Sequence, residues 1–198
     1  MTIVPNVSKG NDKLGNIPSF SLPSIQTCPY STSICRRLCY AAKLERIYPN
    51  VKKAYSHNLA ASSDPLFVQN MIKAIGKSKV FRIHVSGDFY SVDYIQAWDV
   101  IISECPNTMF YAYTRSWQGM DLLPALESLK ENKNLVILAS VDAETGFDVP
   151  QGWRMATMGE QPVKTVSCPQ QTKKALSCEA CKLCFNPKTS ANIEFAIH

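Results

Sequence analysis

Hydrophobic positions follow two different spacings along this chain, and the change between them predicts an α/β fold. The segment KVFRIHVSGD (79–88) is largely apolar and rich in β-forming residues, as are the later segments TMFYAYTRS and NLVILASVD. Between these segments, in SVDYIQAWDVIISE and MDLLPALESLKEN, the apolar spacing becomes helical. Nearly continuous apolar strands that alternate with helices are typical of a parallel sheet covered by helices. The chain is therefore predicted to form a partial (β/α) barrel or an open parallel sheet.

The two ends of the chain are less regular than this core. Helices are predicted over 32–44 and 53–62, and a third is predicted to begin at Ser63 or Asp64 with Pro65 in its first turn. WRMATMG and the terminal NIEFAIH are predicted as further short strands, but after Val163 the regular pattern otherwise stops. One domain is expected, with three parts: residues 1–45 (lead-in and first cysteine cluster), residues 46–162 (α/β core) and residues 163–198 (cysteine-rich tail).

Composition narrows the class of protein. The 198 residues are 45% hydrophobic and 10% aromatic, as in an ordinary globular domain. No apolar run approaches the roughly 18 residues of a membrane span, and the first 26 residues lack the apolar core of a signal peptide. We therefore expect a cytoplasmic protein with reduced thiols and no membrane partner, in which the eight cysteines serve as ligands rather than disulfides. The net charge of +5 allows a nucleic-acid partner, but the basic residues are too scattered to indicate one.

Four cysteines lie in the tail: Cys168, Cys178, Cys181 and Cys184 (hereafter the tail cysteines). Three of them follow C-x2-C-x2-C, and Cys168 precedes a proline, as in the ligand runs of iron–sulfur proteins. Zinc sites more often bring cysteines in two separated C-x2-C pairs, so zinc is the alternative. The full ligand count predicts a structural [4Fe–4S] cluster that fastens the tail to the core.

Three cysteines lie near the beginning of the chain: Cys28, Cys35 and Cys39 (hereafter the front cysteines). They have no fourth cysteine nearby in sequence, so one iron of a [4Fe–4S] cluster would stay open to a substrate or cofactor. This arrangement predicts a reactive cluster, in which Arg36, Arg37 and the helix dipole help to balance the thiolates. The competing interpretation is a permanent fourth ligand, with these candidates: Cys105, His57, His84 and His198.

Polar residues follow three predicted strands, in HVSGD, YTRS and SVD. Because the carboxyl ends of parallel strands share one rim, these residues are predicted to line a pocket beside the front cysteines. We expect catalytic roles for Asp88, Tyr113, Arg115 and Asp142. Cofactor contacts are expected from Ser86, Gly87, Asp88 and Ser140. The plainer alternative for the pocket residues is that they are turn and cap residues, and that Arg115 and Asp142 only neutralise each other. For His84, the plainer alternative is a core histidine that shares a strand face with Arg82 and Ser86.

Two family resemblances bear on these predictions. A three-cysteine group that precedes an α/β series resembles the arrangement in the radical S-adenosylmethionine enzymes. In those enzymes a glycine-rich strand end contacts the methionine part of the cofactor. Gly87 and Asp88 occupy the corresponding strand end in this sequence. The spacing C-x6-C-x3-C, the segment SGDF and the short chain depart from that superfamily. Over nearly the whole chain, the segments NDKLGNIPSFSLPSIQTCP, CRRLCYAAKLERIYPNV, FRIHVSGDFYSVDYIQAW, FYAYTRSW, LASVD and CPQQ, with the terminal C-x2-C-x2-C, are similar to the gene-product-eighty-eight family of phage and plasmid proteins. That resemblance implies a mobile genetic element but no activity.

Three classes of function remain. The favoured one is an enzyme that carries out redox or radical chemistry at the front cluster. Its candidate co-substrates are S-adenosylmethionine and a small molecule, and its expected partner is an electron donor. The second is a zinc or iron–sulfur module that binds nucleic acid through Arg36, Arg37, Arg115, Trp117 and the tail lysines. The third is a metal-stabilised structural or host-inhibitory protein without catalysis.

Overall fold

The computed structural model describes residues 2–159 and 161–197, and in these residues it shows an α/β protein with one seven-stranded sheet. The strands are β1 Ser19–Phe20, β2 Val80–Ile83, β3 Met109–Thr114, β4 Leu135–Val141, β5 Arg154–Met158, β6 Thr165–Ser167 and β7 Asn192–Phe195. Their order is β1-β2-β3-β4-β5-β7-β6, and all neighbours are parallel. The predicted parallel α/β sheet is confirmed. It is open in the described residues, because its edge strands β1 and β6 do not pair with each other.

Seven α-helices accompany the sheet in the same residues. They are α1 Ser33–Arg37, α2 Tyr40–Ile47, α3 Pro49–Ser62, α4 Phe67–Ile75, α5 Val92–Ser103, α6 Leu123–Lys130 and α7 Cys178–Cys181. Helix α5 begins with a side-chain N-cap, since the Ser91 hydroxyl accepts a hydrogen bond from the Tyr94 backbone N–H. The described helices are all too short or too polar to cross a lipid bilayer.

Two helices differ from the sequence prediction. The helix expected over 32–44 is divided at Leu38, and Cys39 starts a second helix as its N-cap. Helix α4 begins at Phe67 rather than at Pro65, because the Asp64 carboxylate accepts the Leu66 N–H at 2.8 Å and holds a turn in front of the helix.

One face of the sheet is covered by helices. Helices α4, α5 and α6 pack their apolar sides on alternate strand residues and form the larger buried cluster. Trp98 of α5 lies at its centre, fully buried, with its ring 6.1 Å from Phe81 and 6.0 Å from Phe20. Each such side chain contributes roughly 1.5–3 kcal/mol through burial. This face is the main source of folding stability.

The other face, hereafter the tail face, is covered by the two ends of the chain. Tyr111, Val136 and Leu138 point to this face and contact Leu14 and residues of the tail. The Phe185 ring centroid lies 5.3 Å from that of Tyr111. The backbone N–H of Cys178 donates to Lys13 O at 2.8 Å, so the lead-in and the tail hold each other in place. Strand β6, which the sequence did not predict, belongs to this tail and pairs with β7.

Strand β2 stops earlier than the sequence predicts. His84 takes a left-handed backbone conformation, with φ of 63°, which ends the regular strand at Ile83. Its ring turns toward the helical face, 4.8 Å from the Phe89 ring, and its Nε2 lies 2.8 Å from the Tyr94 hydroxyl. Arg82 lies beside the tail-face rings. The expectation that Arg82 and His84 share one strand face is therefore wrong.

Candidate functional site

A loop after β1 carries the first front cysteine to the carboxyl ends of the strands. Leu22 N–H donates to Ser86 O at 2.9 Å, and Asp88 N–H donates to Thr27 O at 3.1 Å, so the loop is fastened to the end of β2 just before Cys28. Gly87 has φ of 83°, and a Cβ there would lie 2.6 Å from Leu22 Cβ. The space that a glycine leaves at this position is thus occupied by the loop rather than by a ligand.

The other two front cysteines are positioned by short helices. Thr32 caps α1: its hydroxyl oxygen accepts the Cys35 N–H at 3.0 Å, and its O–H donates to Asp142 Oδ2 at 2.7 Å. Cys39 caps α2, where its sulfur accepts the Ala42 N–H at 3.4 Å. Thr32 thereby ties helix α1 to the end of β4.

The front thiols lie close enough to influence one another. Burial raises the pKa of Cys28 to about 12, with further contributions from the negative charge of Asp88 and from Cys35 and Cys39. Burial also raises the pKa of Cys35, against which the nearby Arg115 guanidinium acts. In the free chain, Cys28 is therefore a protonated thiol near neutral pH, and metal binding there would release a proton.

Asp88 is buried among hydrogen-bond donors at the ends of β2 and β3. One carboxylate oxygen accepts the Thr114 hydroxyl at 2.6 Å and the Phe89 N–H at 2.7 Å, and the other accepts the Arg115 N–H at 2.8 Å. Burial raises the pKa of Asp88 to about 6 in spite of these donors. Asp88 thus joins two strand ends and can still change protonation near neutral pH.

Arg115 and Asp142 form a buried ion pair next to this carboxylate. Arg115 Nη1 lies 2.9 Å from Asp142 Oδ2, and Asp142 is only 1% exposed. This contact is an ion pair that does not have hydrogen-bond geometry. The same guanidinium contacts the Cys35 thiol. The pair neutralises itself, as the plainer alternative holds, and it also borders the front cysteines.

The remaining predicted pocket residues divide between two places. The Ser86 hydroxyl is buried at the rim without a hydrogen-bond partner in the described part of the chain. The Ser140 backbone carbonyl accepts a hydrogen bond from Trp117 Nε1–H at 3.2 Å. Tyr113 points away from the front cysteines. Its hydroxyl forms a hydrogen bond with the Cys184 sulfur, and its ring centroid lies 5.5 Å from that of Phe195. The structure therefore groups Asp88, Arg115 and Asp142 with the front cysteines and places Tyr113 with the tail.

No candidate for a fourth front ligand stands beside these thiols in the described residues. His84 is a hydrogen-bonded core histidine on the helical face. His57 is exposed, with its Nε2 2.7 Å from Val4 O. Cys105 is buried in the larger cluster under the helices, away from the front cysteines. His198 lies outside the described residues.

The tail cysteines form a second group, on the tail face. Cys168, Cys178 and Cys184 are buried there, and Cys181 is partly exposed. Burial raises the pKa of Cys184 to about 11, although the Tyr113 hydroxyl bond opposes this effect. All eight cysteines are free thiols. Within the described residues, no three His, Cys, Asp or Glu side chains are arranged, as they stand, to hold a metal ion.

Sequence reasoning missed the cations of the tail face. Lys13 and Arg82 both lie beside the tail cysteines. Arg82 could have been identified from the sequence, because it is a charged residue within the apolar strand VFRIHV. No sequence feature marks Lys13. Two residues proposed for nucleic-acid binding are buried: Trp117 is 7% exposed and Arg115 is 8% exposed. Neither side chain is therefore available at the surface for such a contact.

Comparisons with known proteins identify relatives in bacteriophages. A family model described as "Gene product 88" matches residues 5–187. A "Gene 88 protein" of Mycobacterium phage L5 is 29% identical over 210 residues, which cover 89% of this chain and 86% of the relative. A "Gene 88 protein" of Mycobacterium phage D29 is 28% identical over 215 residues, covering 91% and 88%. No solved structure matches the chain. These comparisons give no support to the resemblance to radical S-adenosylmethionine enzymes.

Proposed function

We propose that this chain, which belongs to the Gene product 88 family, is an iron–sulfur enzyme whose reactive [4Fe–4S] cluster is held by Cys28, Cys35 and Cys39. The observation that carries the proposal is the grouping of these three thiols beside Asp88 and the Arg115–Asp142 pair. Three thiolates leave one iron without a protein ligand. Such an open position is what distinguishes catalytic from structural metal sites.

The residues around the thiols suit the handling of a polar ligand. Arg115 pairs with Asp142 through Nη1 and borders the Cys35 thiol, and the further N–H groups of a guanidinium can bind a carboxylate or phosphate oxygen. Asp142 holds that guanidinium in place from one side. Asp88, with a pKa of about 6, can take up or release a proton near neutral pH. When bound, the cluster would supply one-electron chemistry, for which an electron donor is required.

The proposal requires a local rearrangement of side chains. The cysteines do not converge on one point as they stand, so their χ1 angles must change when a cluster is bound. Cys28 lies in a turn, and Cys35 and Cys39 lie in or next to the five-residue helix α1, where such changes are easily accommodated. S-adenosylmethionine, which carries a carboxylate and an amine, is one co-substrate that an open iron and Arg115 would accept.

The test uses a variant that keeps only the front site. In anaerobically purified Cys168→Ser/Cys178→Ser protein, absorption and electron paramagnetic resonance spectra are recorded with and without S-adenosylmethionine. We expect about four irons per chain and a spectral shift on addition. Retained iron without any shift would contradict the open site for this ligand. Adding Cys35→Ser should remove the remaining iron, which identifies the front cysteines as its ligands.

A non-catalytic module is the second candidate. It is favoured by the exposed Arg36 and Arg37 on α1 and by Lys173 and Lys174 in the tail, which give a basic surface at both cysteine groups. In that case the metal, zinc or iron–sulfur, would only stabilise a nucleic-acid-binding or host-inhibitory protein. Salt-dependent binding to DNA or RNA that is weakened by Arg36→Gln/Arg37→Gln would support this candidate.

A further inference from the structure

Arg82 is a partly buried cation on the tail face, and no carboxylate in the described residues lies within ion-pair distance of it. Its guanidinium carbon lies 5.1 Å from the Tyr113 ring centroid and 5.9 Å from that of Tyr111, and its Nε donates to His84 O at 3.1 Å. The titratable groups around it are Tyr111, Tyr40, Tyr113 and Cys178, all of which are neutral when protonated. A partly buried cation without a counter-ion is unfavourable, so this position favours a nearby anion.

Lys13 adds a second cation at the same place. Its amine lies 5.3 Å from the Phe195 ring centroid, and the charged groups that act most strongly on it are Arg82 and three tail cysteines. Two like charges are therefore held together beside thiols that are neutral when protonated.

A buried hydroxyl also points to a missing acceptor. Tyr111 is completely buried, and the Arg82 guanidinium lies beside its hydroxyl as a donor, so the Tyr111 O–H has no acceptor in the described residues. The charges that act on that hydroxyl come from Arg82, Cys178 and Cys184. Buried hydroxyls nearly always have a partner, and a metal-bound thiolate sulfur would be an acceptor for this one.

We propose that Lys13 and Arg82 neutralise a doubly negative metal site in which the four tail cysteines bind as thiolates, with Tyr111 donating a hydrogen bond to it. Four thiolates around a divalent centre, whether Zn²⁺ or an oxidised [4Fe–4S] core, carry a net charge of about −2. Lys13 and Arg82 supply two positive charges against it, while Arg154, a third cation near these thiols, donates to backbone carbonyls. The inference rests on the tail cysteines being metal ligands, as their spacing predicts, and it does not depend on the front cluster of the proposed function or on which metal is present.

The inference makes the effect of Arg82 depend on the metal. In the loaded protein, removing Arg82 leaves the thiolate site under-neutralised, so stability falls. In a chain that cannot form the site, Arg82 is a partly buried cation beside Lys13 and without a counter-ion, so its removal is favourable. A side chain that only fills space would stabilise the protein in both cases.

The experiment measures the midpoint of thermal unfolding and the metal content for Arg82→Met in two backgrounds. One is the chain as purified anaerobically; the other is Cys178→Ser/Cys184→Ser. We expect Arg82→Met to lower the midpoint in the first background and to raise it in the second. Arg154→Met is the matched control: that guanidinium also contacts the tail, but it donates to the carbonyls of Leu183 and Ala191. It should lower the midpoint in both backgrounds. A decrease for Arg82→Met in both would overturn the inference.

A second measurement does not require the double-serine variant to fold. Metal release to a chelator is followed for the unaltered chain, Arg82→Lys and Arg82→Met. Loss of a supporting group around metal ligands weakens metal binding about ten-fold or more, so Arg82→Met should release its tail metal faster by about that factor while Arg82→Lys stays close to the unaltered chain. Equal rates for all three would overturn the inference and leave the proposed function standing. An unaltered chain purified without any metal would overturn both.

Discussion

Among single residues, His84 and Asp88 respond to pH in opposite directions. Burial lowers the pKa of His84 to about 3, from an ordinary value of 6.5, and burial raises that of Asp88 from 3.8 to about 6. A lowered histidine pKa contributes stability above pH 6.5 that is lost as the pH falls toward 3. A raised carboxyl pKa has the opposite sign, so stability is gained as the pH falls from 6 to 3.8. The two contributions partly cancel over the same range.

A substitution at His84 separates them. We expect the free energy of unfolding of His84→Asn to fall less between pH 6.5 and 4 than that of the unaltered chain, because the variant lacks the buried imidazole. Each unit of pKa difference between the folded and unfolded states is worth about 1.4 kcal/mol. Asparagine tolerates the left-handed backbone at this position, with φ of 63°. Urea unfolding across this pH range measures the effect. Identical slopes for the variant and the unaltered chain would refute the burial argument.

Several residue roles could be foreseen from the sequence and others could not. The spacing of the cysteines indicated two groups, and the strand ends indicated Asp88, Arg115 and Asp142 as neighbours. The prediction for Tyr113 was wrong: side chains two apart on a strand share a face, so Tyr113 lies with Tyr111 on the tail face, and which face the tail covers is fixed only by the fold. The turn at His84 was not readable, since a positive φ at a non-glycine residue depends on the surrounding fold.

Among the secondary-structure elements, the loop after β1 determines where the front cysteines lie. Gly87 has φ of 83°, and a Cβ there would lie 2.6 Å from Leu22 Cβ and 2.7 Å from Thr27 Oγ1. Gly87→Ala therefore adds a backbone cost of about 1 kcal/mol and an overpacking cost of roughly 1–3 kcal/mol. It should also reduce front-site metal by displacing Cys28.

A glycine in open space isolates the packing part of this effect. Gly146 has a similar φ of 68°, but no atom lies within 4 Å of an added Cβ. Gly146→Ala should cost only the backbone contribution and should leave the metal content unchanged. Chemical unfolding and metal analysis of both variants provide the measurement. Equal losses of stability would show that the loop does not rest on Gly87.

The elements of the core were predictable because each one carries a strong hydrophobic period. The elements at the two ends were not. Strand β6 has three residues, of which Val166 and Ser167 are exposed, so it is determined by pairing with β7 rather than by an apolar pattern. Helix α7 spans Cys178–Cys181, a single turn capped by Ser177, which is too short for a periodic signal.

Taken over the full chain, the fold is a sheet with helices on one face and the two chain ends on the other. The cover on the tail face is thin, because a few apolar side chains and four cysteines replace the helices of the opposite face. Metal binding would supply the stability that this small apolar surface does not. The tail is accordingly expected to be the part of the chain whose folding depends most on metal.

Cys181→Ser tests that dependence. The variant should lose about four irons per chain and unfold at a lower temperature, while the front site keeps its metal. The control is Cys105→Ser, which alters a buried cysteine in the helix-side core and should lower stability without loss of iron. Full iron content and an unchanged melting temperature for Cys181→Ser would show that the tail is not held by a cluster.

The most direct measurement is the metal and sulfide content of the unaltered chain, purified without oxygen from iron-replete cells. Two [4Fe–4S] clusters predict a brown protein that absorbs at about 400 nm and contains about eight irons and eight acid-labile sulfides per chain. A colourless protein that contains zinc and no labile sulfide, obtained under the same conditions, would contradict the assignment of this chain as an iron–sulfur enzyme.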